Sequence, residues 1–171
     1  MATPRPRAAA RSIGDILIAL YRLPPRSPEP PVDVTVRKPL GPEHDLVVRW
    51  VATHFSAGWA SESRVALGNR PPSLFIATRA DALLGFCAYD ATARGLVGPI
   101  GVAESARGQG VGAALLRGCL DEMRAAGYAY AVAGAVGAVG APAFFARVAG
   151  AVPIAGSTPG LYRGLLRDPP V

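Results

Sequence analysis

Residues 102–116, Val-Ala-Glu-Ser-Ala-Arg-Gly-Gln-Gly-Val-Gly-Ala-Ala-Leu-Leu, decide how this chain is read. An apolar run from Leu96 to Val102 leads into them. Val111, Leu115, Cys119 and Met123 follow at helical spacing, with Leu116 and Leu120 widening the stripe. A strand, a turn carrying Gly108, Gly110 and Gly112, and a helix therefore succeed one another directly. Glycines leave backbone amides uncovered, and the first turn of a helix adds unpaired N–H groups and the positive end of its dipole. Such a junction suits an anion, and a pyrophosphate above all.

Three kinds of pyrophosphate site compete. The nucleotide P-loop needs Gly-Lys-Ser/Thr after its glycines, but Lys38 is the only lysine in the chain, so that reading fails. The dinucleotide fingerprint is matched literally by Gly108, Gly110 and Ala113. It also needs an acidic residue at the end of the next strand, and Tyr128 to Val136 ends without one. The third reading rests on Arg107-x-x-Gly110-x-Gly112 after a strand. This resembles the coenzyme A signature of the GNAT N-acetyltransferase superfamily, Arg/Gln-x-x-Gly-x-Gly/Ala. A glycine-rich turn that only lets strand and helix pack closely is the structural alternative.

The resemblance implies an acetyl-CoA site and the transfer of an acetyl group to a primary amine by direct attack. It implies that Ile100, Gly101 and Val102 serve the pantetheine arm along a strand splayed from its neighbour. Arg107, Gly108, Gln109, Gly110, Val111 and Gly112 would take the phosphates. The pair Phe144-Phe145 resembles the family's Phe-Tyr on a later helix, which places Phe145 beside the cofactor. It also puts a phenyl ring where many members carry the tyrosine that protonates the leaving thiolate. Leu96 to Val102 lacks the glutamate that many members use as base. Tyr89 and Asp90, at the end of the neighbouring strand, are the remaining catalytic candidates, and a plain hairpin end is the alternative for both. Tyr162 is a more distant candidate for the missing hydroxyl, and Glu104 reads as a solvated loop residue. A CoA-binding sensor without chemistry is the rival function.

The other segments support a GNAT-like order. Val32 to Val36 alternates as a strand, Glu43 to Ser56 carries apolar residues at helical spacing, and Ser61 to Leu67 reads as a shorter helix. Ser73 to Ala80 and Leu83 to Asp90 read as a hairpin, and Gly95 to Val102 as a third strand. Gly127 suits a helix C-terminus. Tyr128 to Val136, a helix from Pro142 to Ala149, and strands at Val152 to Ala155 and Leu161 to Leu166 complete the expectation. The fold class expected is α/β: a mixed, mostly antiparallel central sheet of six to seven strands flanked by helices. Residues 1–31 are expected to form an extension in which Ile13 to Leu23 makes a short N-terminal helix, stopped by Pro24-Pro25 and followed by an extended connector. Residues 32–171 would form the acetyltransferase domain.

Composition narrows the partners. Half of the 171 residues are hydrophobic, which favours a folded core over disorder. No apolar stretch reaches the roughly 18 residues that span a bilayer. The net charge is +6, but its arginines are not interleaved with aromatics for base stacking, so neither nucleic acid nor membrane is expected as a partner. His44 and His54 have no partner residues at ligand spacing, and no metal is expected. Cys87 and Cys119 read as core thiols of a reducing, cytoplasmic setting. The acceptor would be a small-molecule or peptide amine. A homodimer is compatible with the family.

Overall fold

The computed structural model describes residues 14–26, 28–134, 136–137 and 140–166. Four strands, β2 (Val34–Arg37), β3 (Leu74–Arg79), β4 (Ala82–Tyr89) and β5 (Val97–Val102), pair antiparallel in that order. Alternation along β4 assigns its two faces. Phe86 and Ala88 pack with Val47, Val51 and Leu67 of α1 (His44–His54) and α2 (Ala57–Gly68). Cys87 and Tyr89 belong to the core formed with Leu115, Cys119 and Met123 of α3 (Val111–Ala125). The sheet is thus covered on both faces, and the large side chains of both cores are withdrawn from water. The second helix begins earlier than its apolar pattern suggests, because the Ser56 hydroxyl accepts from the Trp59 amide at 3.1 Å and caps it.

A second sheet has the order β6-β1-β7, all antiparallel, from β1 (Ile16–Ala19), β6 (Tyr130–Ala133) and β7 (Val152–Pro153). Here two expectations are corrected. The segment assigned to a short N-terminal helix is a strand followed by a 3-10 turn, Leu20–Arg22, and Ile13 lies outside the described residues. Ile16, Ile18 and Leu20 are 2%, 0% and 0% exposed, a period of two that coexists with the helical spacing of Leu17, Leu20 and Tyr21. Pairing along both edges of β1 overrides local propensity. The closing strand expected at Leu161 to Leu166 is instead a 3-10 turn, Gly160–Tyr162, followed by irregular chain. Gly160 and Gly164, at φ +60° and +77°, break extension there, and the centre of the sheet is already filled by β1.

Among the described residues the two sheets are joined by one bridge. Leu96 and Val132 form a parallel bridge, and the Val132 amide donates to the Gly95 carbonyl at 3.0 Å. Beyond it, among the described residues, β5 and β6 form no further ladder. Helix α4 (Ala141–Ala149) packs beside α3, placing Phe145 and Val148 in the core shared by the second sheet.

Candidate active site

The divergence of β5 from β6 opens a cleft of about 830 Å³. Its β5 wall presents Gly98, Pro99 and Ile100. Cys87 faces Ile100 while Tyr89 faces Val97, so β5 carries one extra residue against Ala88 and bulges at the cleft. Gly101 contributes backbone alone. A Cβ there would lie 2.5 Å from the Phe55 ring, so the missing side chain is what lets Phe55 pack against the strand. On the far wall stand Ala133, Gly134 and Phe145. Phe145 is 5% exposed, so its ring shapes the cleft from within the core.

Downstream of β5 the chain makes a 3-10 turn, Glu104–Ala106, and enters the glycine loop. Gly108 and Gly110 take φ +73° and +81°, where other residues are strained. The helix opens with Ala114 N–H bonded to the Gly110 carbonyl at 3.0 Å, and no side chain caps the amides before it. The side chain of Val111 is buried in the core, so this residue can offer a ligand its amide alone. Gln109 braces the loop: its Nε2 donates to the Ser105 carbonyl at 3.0 Å, and its Oε1 accepts from Arg79 at 3.1 Å. Arg107 is exposed, and its Nε donates to the Val102 carbonyl at 3.1 Å, which leaves the outer guanidinium nitrogens facing solvent. Gly112 lies against Phe144 and Val102 with ordinary van der Waals room for a Cβ. A Cβ on Gly110 would meet the Glu29 carbonyl at 2.7 Å, because residues 28–30 run along this end of α3.

The two catalytic candidates from the sequence do not reach the cleft. Tyr89 faces α3, where burial, reinforced by the Glu122 carboxylate, pushes its phenol well above the ordinary range. Asp90 sits at φ +52° and closes the β4–β5 turn. Its carboxylate accepts from the Gly95 amide at 2.6 Å and from the Tyr128 hydroxyl at 2.6 Å. Tyr128 in turn accepts from Arg94 Nε at 3.1 Å. Both carboxylate oxygens of Asp90 are therefore engaged in holding the turn. Cys87 and Cys119 are buried, and His54 stacks on Trp50 with centroids 4.3 Å apart.

Polar chemistry enters the cleft from three other places. Glu62, one turn beyond Trp59 on α2, receives a hydrogen bond from the Thr92 hydroxyl in the β4–β5 turn. Tyr162, from the tail after β7, borders the same cleft. Burial raises its phenol, the Glu62 carboxylate adds to the rise, and the Thr92 hydroxyl opposes it. Gly134 makes room for that hydroxyl, since a Cβ there would stand 2.9 Å from Tyr162 Oη. The tyrosine is legible in sequence as a spare hydroxyl. Glu62 is not, because nothing local in Gly58-Trp59-Ala60-Ser61-Glu62 shows that it faces Thr92, 30 residues away.

This arrangement has parallels. The model of the acetyltransferase (GNAT) family matches residues 44–151. Among solved structures, a GCN5-related N-acetyltransferase from Sphaerobacter thermophilus superposes with a TM-score of 0.61 at 25% identity, over 83% of this chain and 49% of that one. One from Kribbella flavida gives 0.54 at 18% identity, over 82% and 53%. A glucosamine N-acetyltransferase region of a fungal multi-domain GH3 β-N-acetylglucosaminidase gives 0.59 at 13%, over 80% and 19%. The chain thus spans about half the length of the two bacterial proteins and a fifth of the fungal one. No curated protein sequence matches it. The family match begins at α1 and ends just before β7, so it takes in the splayed strand, the glycine loop and α4 while leaving β1 outside. With the glycine loop and the β5 and α4 walls of the cleft inside the matched region, and Tyr162, Leu165 and Leu166 outside it, this chain belongs to the GNAT acetyltransferase family.

Proposed function

We propose that the chain transfers an acetyl group from acetyl-CoA to a primary amine by direct attack, with Glu62 and Tyr162 handling the protons. One observation carries this reading. The cleft lined by Gly98, Pro99 and Ile100 of β5 holds Glu62, Thr92 and Tyr162, and β5 itself runs on through Val102 to the glycine loop and the uncapped start of α3. The backbone of Ile100, Gly101 and Val102 on the edge turned from β4 fits an extended pantetheine arm as an added strand would. The amides of residues 108–113 and the free end of Arg107 fit a pyrophosphate. Bound there, acetyl-CoA would supply the activated thioester.

The proton steps follow from the side chains. A primary amine arrives as an ammonium ion and must lose a proton before its lone pair can attack. Glu62 is a carboxylate facing the cleft, and Thr92 fixes one of its oxygens, so the other can accept that proton. Pro99 in the β5 bulge has no N–H, so the amide of Ile100 or Gly101 just beyond it would stabilise the carbonyl oxygen as it gains charge. Burial keeps Tyr162 protonated, and its hydroxyl can pass that proton to the departing sulfur while the proton Glu62 took from the amine replaces it by way of the Thr92 hydroxyl between them. Phe145, which cannot donate, shapes the wall. Tyr89 and Asp90 have no step. The sensor reading drew on the missing acid and base, and Tyr162 and Glu62 offer substitutes for both.

The test is release of free thiol from acetyl-CoA in the presence of amines. The wild-type chain should turn over with at least one primary amine, and Glu62→Gln should lose that turnover while still binding acetyl-CoA. Equal turnover by both proteins would remove Glu62 from the mechanism.

A further inference from the structure

We infer that the acceptor is a small primary monoamine carried on an apolar body, an aromatic one best of all. The inference rests on the acetyl-transfer reading above and concerns the acceptor end of the same cleft. Among the described residues lining the cleft, Glu62 is the one charged side chain. The uncharged polar groups there are Ser61, Thr92 and Tyr162, and Thr92 is already bonded to Glu62. The rest is apolar or glycine.

One carboxylate matches one ammonium group. A polyamine or an aminosugar with several amines would bring further positive charges into walls with no carboxylate to meet them, and each would lose hydration uncompensated. The net charge of +6 adds long-range repulsion against a polycation. A sugar would likewise leave most of its hydroxyls unpaired.

The apolar body is indicated by the rim. Leu165 and Leu166 border the cleft yet are 60% and 101% exposed, an apolar surface that the described residues leave uncovered. Trp59 also borders the cleft, with one side of its ring stacked on Phe55 at 5.2 Å. The indole is thereby held in place to receive a flat apolar group, and its face also favours a nearby cation. An ammonium group directed at Glu62, carried on a ring against Trp59 and the leucines, pairs the one charge of the lining and covers its exposed apolar surface.

The experiment compares 2-phenylethylamine, spermidine and glucosamine as acceptors, read by thiol release and by calorimetric titration into CoA-loaded protein. The expected result is a kcat/KM and an affinity for phenylethylamine at least about tenfold above those of the other two. Leu165→Ser, at an exposed position that should not disturb folding, should narrow the gap by about threefold. Spermidine or glucosamine performing as well as phenylethylamine would overturn the inference, as would no binding of phenylethylamine. Failure of acetyl-CoA itself to bind would instead overturn the acetyl-transfer reading, and titrating the three amines into the unloaded protein would still rank them. Binding in the expected order without turnover would support the acceptor class and count against the proposed chemistry.

Discussion

The two walls of the cleft are built in opposite ways. The β5 wall and its glycine loop come from one uninterrupted stretch, residues 97–116, in which strand, turn and helix follow from local pattern. The β6 wall is assembled from both ends of the chain: β1 lies between β6 and β7, and Tyr162 reaches back over Gly134. A contiguous wall can be read from spacing alone, whereas a composite wall exists only after folding. The proposed chemistry needs both, with Glu62 on the side of the first sheet and Tyr162 on the other.

The largest expected effect comes from removing the proposed base. Glu62→Gln should lower kcat/KM by about 10² to 10³ while leaving the acetyl-CoA dissociation constant unchanged, measured by thiol release beside calorimetry. A parallel loss of cofactor binding would show that α2 supports the β5 wall and does not act on protons. Next is a test of the composite wall itself. Ile18, fully buried in the central strand of the second sheet, should cost about 2–4 kcal/mol when cut to alanine, read by denaturant unfolding. A cost near zero would return residues 14–26 to the role of a detachable extension.

Tyr162→Phe should reduce kcat by about 10- to 100-fold with little change in the KM for acetyl-CoA. Unchanged kcat would leave the composite wall a shaping role only, with the proton reaching sulfur through water. The smallest effect lies away from the cleft. Arg37 and the Leu40 amide hold the Glu43 carboxyl down to about 2 from its ordinary 4.5, at the entry to α1. The folded state therefore favours the carboxylate. The stability it adds is fully present above about pH 4.5 and is lost as pH falls through 2. Because the ion pair is about a third exposed, Glu43→Gln should cost only about 0.5–1 kcal/mol at neutral pH. The same change should flatten the loss of stability in acid, seen by thermal melts between neutral pH and about pH 3.

What was legible follows the same division. The hairpin β3–β4, the strand β5, the loop and the amphipathic α3 each carry a signal within their own residues, and the expected boundaries lie close to those found. The strand Ile16–Ala19 is ambiguous in sequence because its residues satisfy two periods at once, and only its neighbours β6 and β7 choose between them. The expected final strand failed for the complementary reason, since its place was already taken. Tyr89 and Asp90 were placed by sequence at the correct strand end. Which face Tyr89 would take was not settled, nor was the demand of Gly95 and Tyr128 on Asp90. Of the glycine-rich bend after β6, Ala135, Ala138 and Val139 lie outside the described residues.

The most direct test of the central claim is calorimetric titration of acetyl-CoA into the wild-type chain and into Gly112→Asp. Position 112 has room for a side chain, and an acidic residue in the first turn favours the helix, so folding should be preserved. Gly110→Asp would be harder to interpret, because its φ of +81° and the nearby Glu29 carbonyl would strain it irrespective of any ligand. The wild type should bind at micromolar strength and the variant about 100-fold or more weakly, with an unchanged melting temperature. Equal binding by the two proteins would show that the phosphates do not sit at this helix, and absence of binding by the wild type would leave the glycine loop as packing alone.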